Sequence, residues 1–540
     1  MIQATMMNFP LTLNHILERV VQLYPQTEVV SRLPDHTLHR YTYADFYHRS
    51  RQLAESLQLA GLKRGDRVAT LMWNHYAHLE AYFGIAASGG VTHTLNLRLH
   101  PNDISYIVQH AQDRFLIVDD VLLPFVKQIV TQVQFERIFV VPLSGLPIPE
   151  GFESYEDLLA TATGDFAYPE ISEDDAVAMC YTSGTTGRPK GVVYSHRAMV
   201  LHSFAITNVD TFAISSRDVV TAVVPMFHAN GWGVPYAAVM AGAKQVLPGP
   251  HLDPQSLLNL FEAEQVTFAA GVPTIWLGIA QLLEKEPQRF NLQRIRMAVG
   301  GSAVPEGLIR TFDRFHLEVI HAWGMTETTP TATVSRLKPH MAFATDKERY
   351  QTRAKQGMAV PFVEMRAVNE DGVVPCDGET MGELQVRGPW ITGSYYGDET
   401  LQNNFTADGW FQTGDVVNID SEGYMKIVDR TKDLIKSGGE WISSVDIEGA
   451  LMDHPDVLEA SVVGVTHPKW QERPIAAVVF KEGRQVSKEE LLQFLSERFP
   501  KWWLPDDFVF VAEIPRTSAG KFYKKALREQ FKDWQWDHQE

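Results

Sequence analysis

The chain has 540 residues, which is too long for one compact core and therefore predicts at least two domains. It contains 48 Lys and Arg against 66 Asp and Glu, a net charge of −18, so it would repel nucleic-acid phosphates and must hold any anionic ligand in a local positive pocket. Only Cys180 and Cys376 are present, which excludes a disulfide framework and a cysteine-rich metal site and favours a reducing cytoplasm.

The N-terminus carries no basic start followed by a long apolar core, so residues 1–10 do not read as a signal peptide. No apolar run approaches the length needed to cross a bilayer, and the longest, such as residues 219–227, have the length of a strand. These features predict a cytoplasmic enzyme with at most peripheral membrane contact.

Short β-rich runs alternate with amphipathic segments up to residue 428. The predicted strands are 67–72, 115–118, 138–141, 176–180, 219–224, 267–269 and 297–299. A helix is predicted to start at 101–103 and to continue through 104–111. This alternation predicts an α/β fold: a large N-terminal domain, residues 1–428, of mostly parallel sheets with packed helices.

The pattern changes after residue 428. The predicted elements are a helix at 444–454, strands at 457–463 and 475–480, a helix at 488–499 capped by Ser487, and a strand at 508–511. They indicate a small, mobile α+β C-terminal domain, residues 434–540. Residues 429–433, DRTKD, are charged and contain no apolar anchor, which favours a hinge there.

A glycine-rich loop, YTSGTTGRPKG at 181–191, follows the apolar strand 176–180. Glycines let backbone N–H groups cup phosphate oxygens, while hydroxyls and a lysine add donors and charge. A flexible linker has a similar composition, but it would not explain the preceding strand or the Pro-Lys-Gly ending. The predicted phosphate contacts are Thr182, Ser183, Gly184, Thr185, Thr186, Gly187 and Lys190.

A Walker-type loop is the sharper alternative, and it needs Gly-Lys-Ser/Thr opening a helix. Here Pro189 precedes Lys190 and Gly191 follows it, and the strand 192–194 comes next. A helix cap appears only at Ser195. The loop is therefore predicted to join two strands, which disfavours Walker chemistry.

Further motifs follow this loop in order along the chain. They are PMFHANGWG at 225–233, GGSA at 300–303, HAWGMTET at 321–328, WFQTGD at 410–415, the stretch 429–448, and PRTSAGK at 515–521. Together they resemble the acyl-adenylate-forming superfamily, which includes acyl-CoA synthetases, firefly-type luciferases and the adenylation domains of peptide synthetases. The Trp after His228 and KSGGEWIS at 436–443 look most like bacterial medium- and long-chain fatty acyl-CoA ligases.

The resemblance implies the nucleotide contacts. Glu327 would bind Mg²⁺ with help from Thr182, Thr326 would contact the α-phosphate, and Asp415 would hold the ribose hydroxyls. A solvated surface glutamate and a Gly-Asp turn are the alternatives for the two carboxylates. Further residues implied near the adenine or at the hinge side of the nucleotide are Gly301, Ser302, His321, Ala322, Arg430, Lys432 and Lys436.

The resemblance also implies the catalytic residues. Lys521 would be delivered by the small domain to the charge that develops between carboxylate and α-phosphate, although most lysines in loops are simply solvated. His228 would lie beside the carboxylate, with a core histidine as the alternative. Lys524 and Lys525 are interpreted as surface charges.

The acyl gate implied by the resemblance consists of Ala229, Trp232 and Trp441, and the CoA contacts are Gly438 and Gly439. A buried tryptophan in a core is the usual alternative for Trp232, and the sequence does not decide between the two. Trp441 is expected to contact the gate from the small domain and so to couple ATP binding to tunnel opening.

The resulting hypothesis is a two-step ligase. A medium- or long-chain fatty acid and Mg·ATP give fatty acyl-AMP and pyrophosphate, and coenzyme A then takes the acyl group and releases AMP. The alternatives are an acid of another class (aryl, short or branched), an amino-acid activator, or a non-catalytic acyl- or nucleotide-binding relative. A homodimer is expected from the same resemblance.

Overall fold

The computed structural model describes residues 4–182, 188–397, 404–437, 440–517, 521–532 and 534–536. Within them no helix combines the length and the apolarity needed to cross a bilayer. The helices are α1 (Leu13–Leu23), α2 (Tyr43–Leu59), α3 (Tyr76–Ala87), α4 (Pro101–Ala111), α5 (Leu123–Ile129), α6 (Tyr155–Leu159), α7 (His196–Thr207), α8 (Val234–Ala241), α9 (Pro254–Glu264), α10 (Pro273–Lys285), α11 (Glu306–Arg314), α12 (Asp346–Ala354), α13 (Ser444–Met452), α14 (Lys488–Ser496) and α15 (Lys524–Gln530).

The strands alternate with these helices in the first two thirds of the chain. They are β1 (Glu28–Arg32), β2 (Leu38–Thr42), β3 (Arg67–Leu71), β4 (Val91–Thr94), β5 (Asp113–Asp119), β6 (Arg137–Val141), β7 (Glu153–Ser154), β8 (Ala176–Tyr181), β9 (Gly191–Ser195), β10 (Val219–Ala222), β11 (Lys244–Leu247), β12 (Phe268–Gly271), β13 (Arg296–Val299), β14 (Glu318–Gly324), β15 (Thr331–Val334), β16 (Met358–Ala359), β17 (Glu364–Asn369), β18 (Gly372–Val373), β19 (Gly382–Arg387), β20 (Phe411–Ile419), β21 (Met425–Arg430), β22 (Ile435–Ser437), β23 (Glu440–Ile442), β24 (Val457–His467), β25 (Gln471–Phe480) and β26 (Asp507–Phe510).

Two large sheets form the body of the molecule. One has the order β16-β15-β14-β13-β12-β10-β11-β1-β2 and the other β7-β6-β5-β3-β4-β8-β9, and most of their strand pairs are parallel. A large apolar cluster joins both sheets to α1, α2, α3, α7 and α8. Helix α3 is buried on every side, as its almost wholly apolar sequence requires. The predicted α/β architecture with mostly parallel sheets is confirmed.

A third sheet, with the order β18-β17-β19-β20-β21, is antiparallel throughout and was not predicted. Two of its strand pairs are joined by short turns, β17–β18 between Asn369 and Gly372 and β20–β21 between Ile419 and Met425. Short turns can join only antiparallel neighbours, because a parallel pair needs a long crossover. This sheet brings Asp415 and Arg430 to the cavities described below.

The last hundred residues form a separate apolar core around the order β23-β22-β25-β24, with β26 beside β25. The predicted elements are all present there. Ser487 caps α14 by accepting a hydrogen bond from the Glu490 N–H, as predicted. Helices α13 and α14 end two or three residues earlier than predicted, at Met452 and Ser496.

The predicted hinge, residues 429–433, begins inside a strand. Asp429 and Arg430 are the last residues of β21, where they pair with Val416 and Asp415. Residues 431–433 then lead into β22. The segment thus joins the antiparallel third sheet directly to the C-terminal domain.

Candidate active site

A cavity of about 590 Å³ lies where the large sheets, the third sheet and the C-terminal domain meet. Its walls come from the ends of β8 and β14, from β20 and β21, and from the segment before α15. Twelve of the predicted site residues line it: Thr182, Lys190, His228, Ala229, Trp232, Gly301, Ala322, Thr326, Glu327, Arg430, Lys432 and Lys521.

A second cavity of about 630 Å³ continues the first, since Gly301, Ala322, Arg430, Lys432 and Lys521 line both. It adds three more predicted residues, Ser302, His321 and Asp415. Together the two cavities bring fifteen predicted residues to one place. Of the others, Lys436 and Trp441 lie elsewhere on the surface, whereas Ser183, Gly184, Thr185, Thr186, Gly187, Gly438 and Gly439 fall outside the described residues.

The ends of the glycine-rich loop are held together like a hairpin. Strands β8 and β9 are antiparallel, with Tyr181 opposite Gly191. The Thr182 N–H donates to the Lys190 carbonyl (2.9 Å), and the Lys190 N–H donates to Thr182 Oγ1 (3.1 Å). A helix, α7, begins only after Ser195, which caps it. The strand-to-strand setting predicted from Pro189 and Gly191 is therefore confirmed, and a Walker-type loop is excluded.

Glu327 is a buried residue, 5% exposed, that follows the carboxyl end of β14. The Tyr395 hydroxyl donates to its Oε1 at 2.7 Å. Burial raises the pKa of Glu327 despite this hydrogen bond. The carbonyl of Thr326, the residue before Glu327, accepts a hydrogen bond from the Tyr194 hydroxyl at 2.7 Å. Both tyrosines fix the turn and were missed from the sequence, because neither belongs to a recognised motif.

Asp415 is 4% exposed, and both of its oxygens are engaged. Trp323 Nε1 donates to Oδ2 at 2.9 Å, while Arg430 Nε lies 3.2 Å from Oδ1. The nearby Asp415 carboxylate raises the pKa of Arg430, which keeps this guanidinium charged. Trp323 was not predicted as a site residue, although its place in HAWGMTET offered a signal.

The predicted adenine wall is formed by the ends of β13 and β14. Gly301 has φ +89°, a conformation that side chains rarely adopt, and a Cβ on Gly300 would lie 2.8 Å from the Ala322 carbonyl oxygen. His321 Nδ1 lies 3.0 Å from the Ala354 carbonyl, and burial lowers the pKa of His321 to about 4. The histidine is therefore neutral at pH 7.

Lys521 enters the cavity from the C-terminal domain. Its Cε is 3.8 Å from the point where a Cβ on Gly301 would lie. The Thr517 N–H donates to the Lys521 carbonyl at 2.8 Å, and the Lys521 N–H donates to Thr517 Oγ1 at 3.2 Å, which fixes the backbone behind the side chain. Burial, and next the Arg430 charge, lower the pKa of Lys521 to about 8.

His228 lines the same cavity as Lys521. Burial, and next the Lys521 and Arg98 charges, lower the pKa of His228 to about 4, so its imidazole is neutral at pH 7. Its ring nitrogens can then accept or donate a hydrogen bond without adding charge.

The residues after His228 form a left-handed turn. Five successive φ values are positive: Ala229 (36°), Asn230 (40°), Gly231 (60°), Trp232 (57°) and Gly233 (71°). Trp232 is buried, and its indole Cη2 lies 3.5 Å from the point where a Cβ on Gly300 would stand. The Asn230 N–H donates to Cys180 Sγ at 3.3 Å, which connects the turn to β8, the strand before the glycine-rich loop.

Trp441 does not lie beside Trp232 in this conformation. It is 42% exposed, and the Lys436 ammonium is 5.5 Å from its ring centroid. Lys436 and Trp441 are directly opposite each other in the β22–β23 pair. The two residues therefore form their own surface contact, separate from the described cavity walls.

The interpretation of Lys524 as a surface charge is wrong. Its side chain is 11% exposed, and its Nζ lies 2.8 Å from Glu448 Oε1. Lys525, its neighbour, is exposed as predicted. Adjacent lysines at the start of a helix point in different directions, so the run of charge alone could not distinguish them.

The fold and the cavity define a two-domain α/β protein in which a lysine of the small domain enters a nucleotide-sized pocket of the large one. Two family descriptions match the chain: AMP-binding enzyme over residues 17–396, and AMP-binding enzyme C-terminal domain over residues 446–521. The chain belongs to the AMP-binding enzyme family.

Similar proteins extend over the full chain. A long-chain-fatty-acid–CoA ligase of Thermus thermophilus is 51% identical over 98% of this chain and 97% of its own length. A 3-methylmercaptopropionyl-CoA ligase of Ruegeria lacuscaerulensis is 42% identical over 98% of both chains. The crystal structure of the anthranilate CoA ligase AuaEII with anthranoyl-AMP has the same fold, with a TM-score of 0.86 at 24% identity, covering 98% of this chain and 99% of that one.

Proposed function

We propose that this protein is an AMP-forming fatty acid–CoA ligase that activates a medium- or long-chain fatty acid as fatty acyl-AMP and then transfers it to coenzyme A. The observation that carries the proposal is the entry of Lys521 from the C-terminal domain into the cavity that contains Glu327. The full-length similarity to a long-chain-fatty-acid–CoA ligase supports the choice of acid and acceptor.

ATP would lie across the two connected cavities. Its phosphates would lie against the Thr182–Lys190 hairpin ends, where backbone and hydroxyl donors and one ammonium converge. Asp415 would accept hydrogen bonds from the ribose hydroxyls, since Trp323 and Arg430 already orient its carboxylate. Gly301, Ser302, His321 and Ala322 would form the adenine wall, with Arg430 and Lys432 toward the hinge. Lys436, which lies outside both cavities in this conformation, would approach the nucleotide only after a movement of the C-terminal domain.

Mg²⁺ fits this site as a companion of the nucleotide. Glu327 offers a buried carboxylate that accepts a hydrogen bond from the Tyr395 hydroxyl, and Thr182 offers a hydroxyl in the same cavity. Among the described residues no group of three His, Cys, Asp or Glu could hold a metal ion by itself. Mg²⁺ commonly uses one or two carboxylates together with substrate phosphates, which matches this donor set. When bound, it would neutralise phosphate charge.

Adenylation joins two anions, so the protein must supply positive charge where they meet. A carboxylate oxygen of the fatty acid attacks the α-phosphorus, the bond to the β-phosphate oxygen breaks, and pyrophosphate leaves with the electron pair. The Lys521 ammonium, which lines the cavity, would stabilise the charge that develops between carboxylate and α-phosphate. Thr326 would donate a hydrogen bond to the α-phosphate. His228 would lie beside the carboxylate of the acid, and because its imidazole is neutral it would not form an ion pair with that carboxylate.

Thioester formation needs Lys521 removed and a path opened for the thiol. The C-terminal domain would swing at residues 429–433 and bring Gly438 and Gly439 to the pantetheine arm. The CoA thiolate attacks the acyl carbonyl, the acyl–phosphate bond breaks, and AMP leaves. This alternation would use the same cavity for both half-reactions.

The acyl chain would enter past Ala229 and Trp232, with Trp441 acting from the small domain after the swing. Trp232 lines the cavity in the present conformation. A tryptophan here would act as a steric control on acids of different length. The relative named for 3-methylmercaptopropionate keeps a short-chain acid as the alternative substrate.

The test is pyrophosphate release with ATP and a series of acids, followed by mass detection of the CoA ester. The series contains linear acids from butyrate to stearate, benzoate, isobutyrate and 3-methylthiopropionate. We expect the highest kcat/KM for a linear acid of medium or long chain. Highest activity with an aryl, short or branched acid would overturn the substrate assignment, and no pyrophosphate with any acid would overturn the ligase itself.

The same proposal places the enzyme in the cytoplasm, with at most peripheral membrane contact, where ATP and CoA are available. It also includes a homodimer, which light scattering of the purified chain would test. A scattering mass close to the 60.9 kDa of one chain would contradict the dimer.

A further inference from the structure

The first turn of α13 in the C-terminal domain is bound to β21 of the large domain. Ser443 Oγ donates to the Val428 carbonyl at 2.5 Å, and the Ser444 N–H and Oγ both donate to Asp429 Oδ2, at 2.9 and 2.5 Å. Asp429 is only 1% exposed. A buried carboxylate of one domain thus accepts a hydrogen bond from an N–H group at the N-terminus of a helix in the other domain. The helix N-terminus is a favourable place for the negative charge of the carboxylate.

Lys524 is the cation of this contact. Its Nζ donates to Ser444 Oγ at 2.5 Å and lies 2.8 Å from Glu448 Oε1. Ser444 Oγ therefore receives a hydrogen bond from Lys524 while it donates one to Asp429. Glu448 Oε1 in turn accepts from the Val462 N–H at 2.7 Å, which anchors the group in the C-terminal core.

The charges of this group depend on one another. Burial raises the pKa of both Asp429 and Glu448. Burial also acts to lower the pKa of Lys524, but the Glu448 and Asp429 carboxylates outweigh it and hold that pKa above its ordinary value. An uncompensated charge in such a buried group is costly, so the ammonium is needed where both carboxylates meet.

Lys524 is also close to Lys521 along the chain. It is the first residue of α15, three residues after Lys521, and three residues span at most about 11 Å even when fully extended. Between them, the Tyr523 N–H donates to the Pro515 carbonyl at 2.7 Å. A shift of Lys524 therefore moves the backbone that carries Lys521.

We propose that Lys524 is a positioning residue for adenylation: through Ser444 and Asp429 it holds α13 and α15 of the C-terminal domain on β21, and so keeps Lys521 in the cavity. This inference rests on the proposed two-step ligase function. If Lys524 only stabilised the C-terminal domain, its pairing with Glu448 would suffice, since both residues belong to that domain. The link through Ser444 to Asp429 is the part that crosses to the large domain.

The experiment measures the two half-reactions separately in the full-length enzyme. Single-turnover pyrophosphate release reports adenylation, and thioester formation from supplied acyl-AMP and CoA reports the second step. Lys524→Met together with Glu448→Gln removes the ammonium without leaving Glu448 ionised and unpaired. Ser444→Ala keeps the Lys524–Glu448 pair and removes only the hydroxyl bridge to Asp429.

We expect the double variant to lose adenylation by roughly 100-fold, the scale on which a misplacement of about 1 Å acts. Ser444→Ala should lower the adenylation rate by roughly 10-fold, which corresponds to the loss of one hydrogen bond of about 1.4 kcal/mol. The loss is smaller than in the double variant because the backbone N–H of residue 444 still donates to Asp429. Thioester formation should remain within about threefold in both, since Lys521 has left the site in that step. Lys524→Arg, which retains the charge, should recover most of the adenylation rate.

Equal loss of both half-reactions in the double variant would overturn the positioning role and make Lys524 a structural residue. Unchanged adenylation in Ser444→Ala would overturn the link to Asp429. Lys532→Met, at an exposed lysine of the C-terminal domain that lines neither cavity, is the matched control and should leave both rates unchanged. A wild-type enzyme that performs neither half-reaction would instead contradict the ligase function on which the inference rests.

Discussion

Arg430 lies directly opposite Asp415 in the antiparallel pair β20–β21, with Arg430 Nε 3.2 Å from Asp415 Oδ1. The pairing holds the carboxylate in place before any nucleotide enters. Because Arg430 ends β21, the same residue also lies at the start of the predicted hinge. A nucleotide that contacts Asp415 or Arg430 would therefore also affect the segment that joins the C-terminal domain to the rest of the chain.

Lys521→Ala should abolish adenylation far more than thioester formation from supplied acyl-AMP. The variant removes the ammonium that would face the developing charge in the proposed reaction, and loss of one such preorganised group costs roughly 10²- to 10³-fold in rate. Pyrophosphate release and thioester formation are measured on the same preparation. Lys532→Ala is the control at an exposed lysine that lines neither cavity. An equal loss of both half-reactions in Lys521→Ala would contradict the role assigned to Lys521.

Adenylation should fall as the pH rises through about 8, because burial lowers the pKa of Lys521 to about 8 in this conformation. Its ammonium is present below that pH and is lost above it, so kcat/KM for ATP, which reports groups of the free enzyme, should decline on the alkaline side. Lys521→Arg keeps its charge and should flatten this limb. A pH profile that is identical in Lys521→Arg would show that another group titrates.

Asp415→Asn should raise the KM for ATP about 10- to 100-fold, since hydrogen bonds to charged groups are worth about 1.5–3 kcal/mol. The amide has the same shape but loses the charge that faces Arg430 and the proposed ribose hydroxyls. Asp408→Asn, an exposed carboxylate beside Arg366 near the same sheet, is the control. An unchanged KM for ATP in Asp415→Asn would contradict the ribose contact.

Much of the fold could be predicted because its signals are local. The strand, glycine-rich loop and strand at 176–195 follow from apolar runs and from Pro189 and Gly191, and Ser195 and Ser487 cap the helices expected of them. The parallel sheets follow from alternation of strands and helices. The predicted helix ends were two or three residues too late where the helix has no distinctive C-terminal cap, as at Met452.

The features that were missed depend on distant contacts. Ala229, Asn230 and Trp232 adopt positive φ, which L-residues disfavour. The hydrogen bond from the Asn230 N–H to Cys180 Sγ joins this turn to strand β8, fifty residues earlier in the chain. Lys524 likewise finds Glu448 in another helix, so its local charge pattern could not reveal its burial. Such residues are defined by the assembled fold rather than by their neighbours in sequence.

Trp232→Ala should shift the preference among acids toward longer or bulkier chains. The indole lines the cavity beside Gly300, and one methylene in an apolar pocket changes discrimination by about 10- to 200-fold. The ratio of kcat/KM for palmitate to that for hexanoate should therefore rise at least about tenfold, measured by pyrophosphate release. Trp470→Ala, at an exposed tryptophan of the C-terminal domain, is the matched control and should leave the ratio unchanged. If the ratio stays constant in Trp232→Ala while the total rate falls, Trp232 is a core residue that supports the turn and does not gate the acyl chain.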